Sequence, residues 1–140
     1  MPSWSVEFYP ACEEWADGLD RTDAEALLAA ILVLRDSGPA LGRPLVDTIK
    51  GSRHSNMKEL RPGSTGRTEI RVLFAFDLER AAILLVGGDK SDDWSGWYDK
   101  NIAIADDRFD HHQATLESWR IEQAAVTESK NKRTKRKKRR

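Results

Sequence analysis

Apolar residues near the start of the chain recur first with the period of a strand and then with that of a helix. Trp4, Val6 and Phe8 alternate with polar residues, which predicts a half-buried strand. Pro10 suits the first turn of a short helix, and Gly18 ends it. The chain is therefore expected to open with a strand followed by a short helix.

The next segment keeps the helical period over several turns. Thr22 and Glu25 have the spacing of a capping box, which predicts the start of a second helix. Leu27 and Leu34 then lie on one apolar stripe, and the helix is predicted to end at the Gly-Pro pair at 38–39. Residues 39–56 are rich in proline, glycine and polar groups, which predicts a long loop.

Three strands in the middle of the chain form a predicted antiparallel meander. They cover residues 57–61, 68–77 and 81–88. Because side chains alternate along a strand, Arg71 points away from the apolar face of its strand. If Leu60 faces the core, Arg61 points away from it as well. Neighbouring strands are thus expected to present Arg61 and Arg71 together.

The C-terminal part of the chain predicts one more helix and a tail. Residues 91–101 predict a loop or a single helical turn, and residues 103–125 predict an amphipathic helix. Beyond Glu128 the run of like charges cannot bury apolar surface, so we expect it to be disordered. The predicted organisation is one domain over residues 1–127 and a basic disordered tail over residues 128–140.

Length and composition agree with a single domain, because 140 residues with 39% hydrophobic content supply one modest core. The single cysteine, Cys12, excludes an internal disulfide framework and a cysteine-rich zinc site. The N-terminus shows no basic stretch followed by an apolar run, and no segment approaches the roughly 20 apolar residues of a membrane span. These features favour a soluble protein of the cytoplasm.

The net charge of zero hides an uneven distribution. Residues 128–140 hold nine Lys or Arg and one Glu, which leaves a net charge of −8 on residues 1–127. Only the middle of that body is basic, since residues 43–90 carry nine basic and six acidic side chains. A polyanion is therefore expected to bind the middle segment.

Several polar residues of the middle segment are candidates for contact with a nucleic-acid backbone, although charges at this density are also ordinary on a surface. The candidate backbone contacts are Lys50, Arg53, Lys58 and Arg67. His54 lies among them and titrates near neutral pH, which makes it a candidate for proton transfer. His111 and His112 are adjacent on a predicted helix and diverge, so we assign no metal and no cofactor.

Specific motifs then resemble the RelE/HigB toxin superfamily, and most of all its phage Gp49-like branch. They are MKELRPGSTGRTEIRVLFAFDLERAAILLVGGDK, a following WY, and the helical segment IADDRFDHH. The resemblance covers about residues 3–120. It implies a RelE-like α+β fold, in which an N-terminal strand and two helices pack on a small twisted antiparallel sheet with a C-terminal helix.

The resemblance also implies a function and partners. The function is that of a type II toxin, a ribosome-dependent mRNA endoribonuclease that inhibits translation. The partner is a cognate antitoxin, by analogy a helix-turn-helix protein of the HigA type, and operator DNA is bound only through the toxin–antitoxin complex. No contact with a membrane is implied.

The resemblance carries over four site residues. Arg61 matches the arginine of an E-L-R strand, Arg71 the arginine of the next strand, Lys90 a basic position after the last strand, and Tyr98 an aromatic near the C-terminal helix. Some well-known relatives have lysines at the neighbouring sheet positions that help to activate the RNA hydroxyl, whereas this chain has Glu59. The general base therefore stays open among His54, Lys58 and Glu59.

RNA cleavage without a metal needs a base for the 2′-hydroxyl, cations for the charged phosphorane and an acid for the departing 5′-oxygen. Arginine stays charged and offers a planar fork to phosphate, so Arg61 and Arg71 are expected to hold and stabilise it. Lys90 can act as a cation or exchange a proton. Tyr98 can stack on a base, supply a proton, or simply pack with Trp94 and Trp97, for which packing is the expected role.

Three alternatives remain at this level. Arg61 and Arg71 can be solvated residues that pair with neighbouring glutamates, which stabilises a fold little. A ParE-type toxin has the same fold but inhibits DNA gyrase, and Arg71 with Lys90 argues against it. A non-catalytic RNA- or ribosome-binding module would depend on residues 128–140, whose deletion would only weaken an RNA-cutting toxin.

Overall fold

A computed structural model describes residues 4–63, 66–91 and 93–138. The elements are β1 (Ser5–Phe8), α1 (Pro10–Asp17), α2 (Arg21–Ser37), a short 3-10 turn (Gly38–Ala40), β2 (Val46–Thr48), β3 (Lys58–Leu60), β4 (Ile70–Phe76), β5 (Ala81–Asp89) and α3 (Trp94–Lys138). The chain forms two compact units, one through Phe109 and one from Asp110 onward.

The five strands form one sheet in the order β1-β5-β4-β3-β2. Strands β3 to β5 pair antiparallel, as predicted for the meander, and the additional strand β2 pairs antiparallel with β3. Strand β1 instead pairs parallel to β5, with Ser5 opposite Ala81. The prediction of an α+β fold is confirmed, with a mixed sheet rather than a purely antiparallel one.

Both faces of this sheet are buried. On one face Val72 and Phe74 of β4 pack with apolar residues of α1 and α2. On the other face Leu73 and Ala75 pack with the first part of α3, where Phe109 is buried. Burial on both faces explains the long apolar runs of β4 and β5, and only part of the second face is left to carry a polar site.

Helix α2 begins two residues earlier than the capping-box pattern predicted. Its N-cap is Asp20, whose carboxylate accepts a hydrogen bond of 2.8 Å from the backbone N–H of Asp23. Thr22 is thereby placed inside the first turn, so its proposed capping role is wrong. The cause is that the aspartate two positions earlier satisfies the exposed backbone N–H.

The predicted loop over residues 39–56 contains regular structure that the sequence pattern did not reveal. Besides the 3-10 turn, it contains β2, in which Val46 pairs with Leu60 of β3. The strand has only three residues, and the prolines and glycines around it hide the alternation on which strand prediction depends. The sheet therefore has one more antiparallel edge strand than predicted.

Helix α3 is longer than predicted at both ends. It begins at Trp94, inside the segment expected to be a loop, and continues to Lys138. The tail expected to be disordered is thus helical as far as it is described, with residues 139–140 outside the described part. Lysine and arginine are good helix formers, and Glu128 lies 3.6 Å from Lys132 one turn later. That residues 128–140 act as a separate tail stays a prediction.

Helix α3 and the other helices in the described ranges lack the combination of length and apolar character that a membrane span requires.

Candidate active site

The candidate site lies on the sheet face that α3 covers, at the end where this helix begins. Arg71 of β4 is opposite Gly88 of β5. Lys90 directly follows β5, and its backbone N–H donates to the carbonyl of Glu69 over 3.1 Å. Gly88 leaves room for the ring of Trp97, because a Cβ at this glycine would lie 2.4 Å from the indole nitrogen. The two strands thereby place Arg71 and Lys90 side by side under the first turn of α3.

The carboxylate of Glu59 connects three elements at this end of the sheet. The side chain is buried and accepts a hydrogen bond of 2.7 Å from Nε of Arg61. Its second oxygen accepts a hydrogen bond from the hydroxyl of Tyr98 on α3. Arg61 also contacts Asp47 of β2 over 3.3 Å. One buried acid thus fixes the guanidinium of Arg61 and the phenol of Tyr98 relative to each other.

These contacts shift the titration of both partners. Burial raises the pKa of the Tyr98 phenol, and the hydrogen bond to Glu59 acts in the same direction. The hydrogen bond to Glu59 raises the pKa of Arg61. Tyr98 therefore keeps its proton and Arg61 its charge over the physiological range. Because Glu59 is 1% exposed and both of its oxygens accept hydrogen bonds, its geometry favours positioning over direct contact with a substrate.

Arg71 and Lys90 differ from Arg61, because neither forms an ion pair within the described part of the chain. Nη1 of Arg71 donates to the carbonyl of Ile70 over 2.8 Å, while its Nε is buried and makes no hydrogen bond to any described residue. Lys90 is 2% exposed, and its ammonium lies 3.3 Å from the ring centroid of Trp94. Burial lowers the pKa of Lys90, and the charge of Arg71 lowers it further. The site therefore holds two adjacent cations that a bound anion would neutralise.

His54 and Arg53 contact a part of α3 beyond this cluster, and Lys50 precedes them in the same loop. His54 packs edge-on against the ring of Phe109, with 4.9 Å between the ring centroids. Tyr98 and Phe109 are eleven helical steps apart, which is roughly 16 Å along α3. His54 therefore lies nearer to a later part of the helix, and its catalytic role stays a prediction.

The loop that contains His54 is held against α3 by hydrogen bonds to Asp106. The buried carboxylate of Asp106 accepts hydrogen bonds from the hydroxyl of Ser52 and, over 3.0 Å, from the backbone N–H of Arg53. The side chain of Arg53 pairs with Asp107 over 3.1 Å. These contacts hold residues 50–56 against the helix and use the charge of Arg53 within the fold.

Replacing Asp106 by alanine is expected to lower the free energy of unfolding by about 1–3 kcal/mol, since two part-buried donors lose a buried, charged acceptor. Asp107→Ala is the matched control, because Asp107 is 78% exposed and its pair with Arg53 contributes about 0–1 kcal/mol. Urea unfolding measures both losses, and hydrogen exchange at residues 52–54 reports the local opening. Equal effects of the two substitutions would contradict the anchor.

The remaining predicted RNA contacts are also outside the cluster. Lys58 is opposite Phe74, one residue before Glu59, and so lies on the other face of the sheet. Arg67 is exposed in the turn before β4. Of the predicted site residues, the structure brings together Arg61, Arg71, Lys90 and Tyr98.

Sequence reasoning underestimated two members of this site. The sequence offered Glu59 only as one of three candidates for the base. In the structure it is buried and accepts hydrogen bonds from both Arg61 and Tyr98. The two tryptophans were both expected to pack. Trp97 does so over Gly88, but Trp94 is 59% exposed beside Lys90. No sequence signal distinguished the two, because both fall in one short polar segment.

Comparison with known proteins identifies the same family that the sequence motifs resemble. Residues 14–110 match the family model described as "Phage derived protein Gp49-like (DUF891)". Two curated relatives come from Mycobacterium tuberculosis (strain ATCC 25618 / H37Rv). The chain is 54% identical over 124 residues to "Putative toxin HigB2", covering 89% of this chain and 57% of that protein. It is 48% identical over 111 residues to "Putative toxin HigB3", covering 79% of this chain and 95% of that protein.

A solved structure of the E. coli toxin RelE, a double arginine mutant in the free state, has the same fold. The TM-score is 0.50 at 12% identity, over 64% of this chain and 86% of RelE. At this identity the likeness concerns the fold alone. It confirms the prediction of a RelE-like α+β architecture.

Proposed function

Since the chain belongs to the phage-derived Gp49-like family within the RelE/HigB toxin superfamily, we propose that it is the toxin of a type II toxin–antitoxin system and cuts mRNA on the ribosome. The observation that carries the proposal is the pair Arg71 and Lys90, two neighbouring cations without an ion pair in the described residues. An RNA phosphate has the charge and geometry to fill this site.

The proposed chemistry is attack of a ribose 2′-hydroxyl on the adjacent phosphorus, which expels the 5′-oxygen of the next nucleotide. Arg71 and Arg61 stabilise the added negative charge, and Lys90 raises the local positive potential. Tyr98 is held near Arg61 through its hydrogen bond to Glu59, and it would protonate the leaving 5′-oxygen only after its hydroxyl turns from Glu59 to that oxygen. The group that accepts the 2′-hydroxyl proton stays open.

The proposed partner is a cognate antitoxin of the helix-turn-helix type, by analogy with HigA, since the two curated relatives bear the name HigB. It would cover the cationic site and carry the pair to operator DNA. The reaction belongs in the cytoplasm, where ribosomes and mRNA are present. The acidic remainder of the body would keep affinity for free RNA low.

The test is induction in cells of the wild type and of an Arg71→Ala, Lys90→Ala double variant, with growth followed and mRNA 5′ ends mapped. The matched control is Arg21→Ala, Arg35→Ala, which removes the same charge from α2, outside the site. We expect growth arrest and new breaks inside translated messages for the wild type and the control, and neither for the double variant.

Two other outcomes would contradict parts of this proposal. Growth arrest without RNA breaks would contradict cleavage and favour gyrase inhibition. Arrest by the double variant at the wild-type level would contradict the assignment of the site. A thermal melt of each purified variant distinguishes loss of activity from loss of the fold.

A further inference from the structure

Trp94 is unusually exposed for a tryptophan, a residue type with a large and mostly apolar side chain. It is the first residue of α3 and is 59% exposed. One face of its ring lies against the ammonium of Lys90, 3.3 Å from the centroid. Since that face is occupied and most of the side chain is nevertheless exposed, the opposite face of the indole borders solvent.

The contact with Lys90 gives the ring a defined orientation. Tryptophan is the aromatic residue that binds cations best, and a desolvated ammonium strengthens the interaction. Lys90 is itself buried, so it forms a fixed support behind the ring. A flat aromatic surface that is held in place by Lys90, next to the proposed phosphate site, has the features of a stacking platform for nucleobases.

The neighbouring aromatic residues do not have these features. Trp97 is half-buried and lies over Gly88, and it packs edge-on against Tyr98 with 5.1 Å between centroids. Tyr98 is tied through its hydroxyl to Glu59. Among the three aromatics at the start of α3, only Trp94 is exposed.

We propose that the outer face of Trp94 stacks on one nucleobase of an RNA strand whose neighbouring phosphate binds at Arg71. The inference rests on the proposed function, because it takes RNA as the ligand. It adds a subsite that recognises a base through its aromatic plane, which every base offers and purines offer over the larger area.

The test uses two uncleavable probes that carry the same phosphates. One is a fluorescent 2′-O-methyl adenosine hexanucleotide, and the other is its abasic counterpart. Binding of each to the full chain is measured by fluorescence anisotropy at low salt for the wild type, Trp94→Ala and Trp94→Phe. Trp119→Ala is the matched control, because Trp119 is 51% exposed and lies in the other compact unit.

We expect Trp94→Ala to weaken binding of the base-bearing strand about tenfold and to leave the abasic strand unchanged. Trp94→Phe should retain most of the affinity, and Trp119→Ala all of it. Unchanged or tighter binding of the base-bearing strand by Trp94→Ala would overturn the subsite; tighter binding would mean that the indole merely covers Lys90.

Binding of the two strands by the wild type distinguishes failure of the Trp94 subsite from failure of the proposed function. If it binds both strands equally and Trp94→Ala has no effect, the subsite is wrong and phosphate recognition still stands. Because affinity for free RNA is expected to be low, the titration extends to the highest soluble protein concentration; if the wild type binds neither strand even there, the subsite is overturned and RNA loses its support as the ligand of this site.

Discussion

Glu59→Ala is expected to lower the free energy of unfolding by about 2–4 kcal/mol and to abolish any activity of the site. The substitution removes a buried carboxylate, leaves the hydroxyl of Tyr98 without its acceptor and frees the guanidinium of Arg61. Arg61 is 34% exposed, so water can partly replace the lost partner, which keeps the loss below that of a fully buried ion pair. Urea unfolding of the purified protein measures the effect.

A second variant, Glu59→Gln, separates the role of Glu59 in positioning Arg61 and Tyr98 from its contribution to stability. Glu59→Gln preserves the shape and can still accept one hydrogen bond, so most of the stability should return while Arg61 loses its negatively charged partner. Without that charge the raised pKa of Tyr98 should move down toward its ordinary value, which ultraviolet titration of the phenol detects. A double-mutant cycle with Tyr98→Phe should give a coupling of about 1 kcal/mol or more. A coupling near zero would contradict the described contact.

Gly87→Ala is expected to destabilise the protein by about 3 kcal/mol. A Cβ at this position would lie 2.0 Å from the six-membered ring of Trp15, far inside van der Waals contact. Strand β5 cannot retreat, because β1 and β4 pair with it on either side. The ring of Trp15 must therefore leave its place between α1 and the sheet.

Cys12 offers a direct measurement of this loss. The thiol is fully buried on α1, and burial raises its pKa to about 12, so it reacts with iodoacetamide only when the protein unfolds. The fraction alkylated across a urea series should shift to lower urea in Gly87→Ala. Gly42→Ala is the control, since no described residue other than its chain neighbours has an atom within 4 Å of the added methyl group, and its curve should stay within about 0.5 kcal/mol of the wild type. A shared curve for the two variants would contradict the packing of Trp15.

The elements with strong periodicity were predictable from the sequence. Helices α1 and α2, the three strands of the meander and the common face of Arg61 and Arg71 all follow from alternation and helical spacing. The elements that were missed lack a periodic pattern of apolar residues. Strand β2 is too short to show a period, and the start of α3 is hidden in a polar segment rich in tryptophan.

Tertiary contacts explain the remaining differences at the site. The four residues carried over from the family motif meet on one face because strand register and the first turn of α3 bring them together. His54 was expected among them because histidine exchanges protons near neutral pH and this one lies in the long basic loop. Asp106, more than fifty positions later, draws its loop toward another part of the helix. Burial of Glu59 likewise arises from α3 covering the sheet, which the strand pattern alone does not predict.

The parallel pairing of β1 with β5 bears on how the chain folds during its own synthesis. Strand β1 needs a partner about 75 positions further along, so it stays unpaired until that segment leaves the ribosomal exit tunnel. At about 5–20 residues per second this interval lasts roughly 4–15 seconds. During it the apolar sides of α1 and α2 have no sheet to cover them. The nascent chain should therefore gain its cationic site and its stability almost together, late in translation, and depend on chaperones until then.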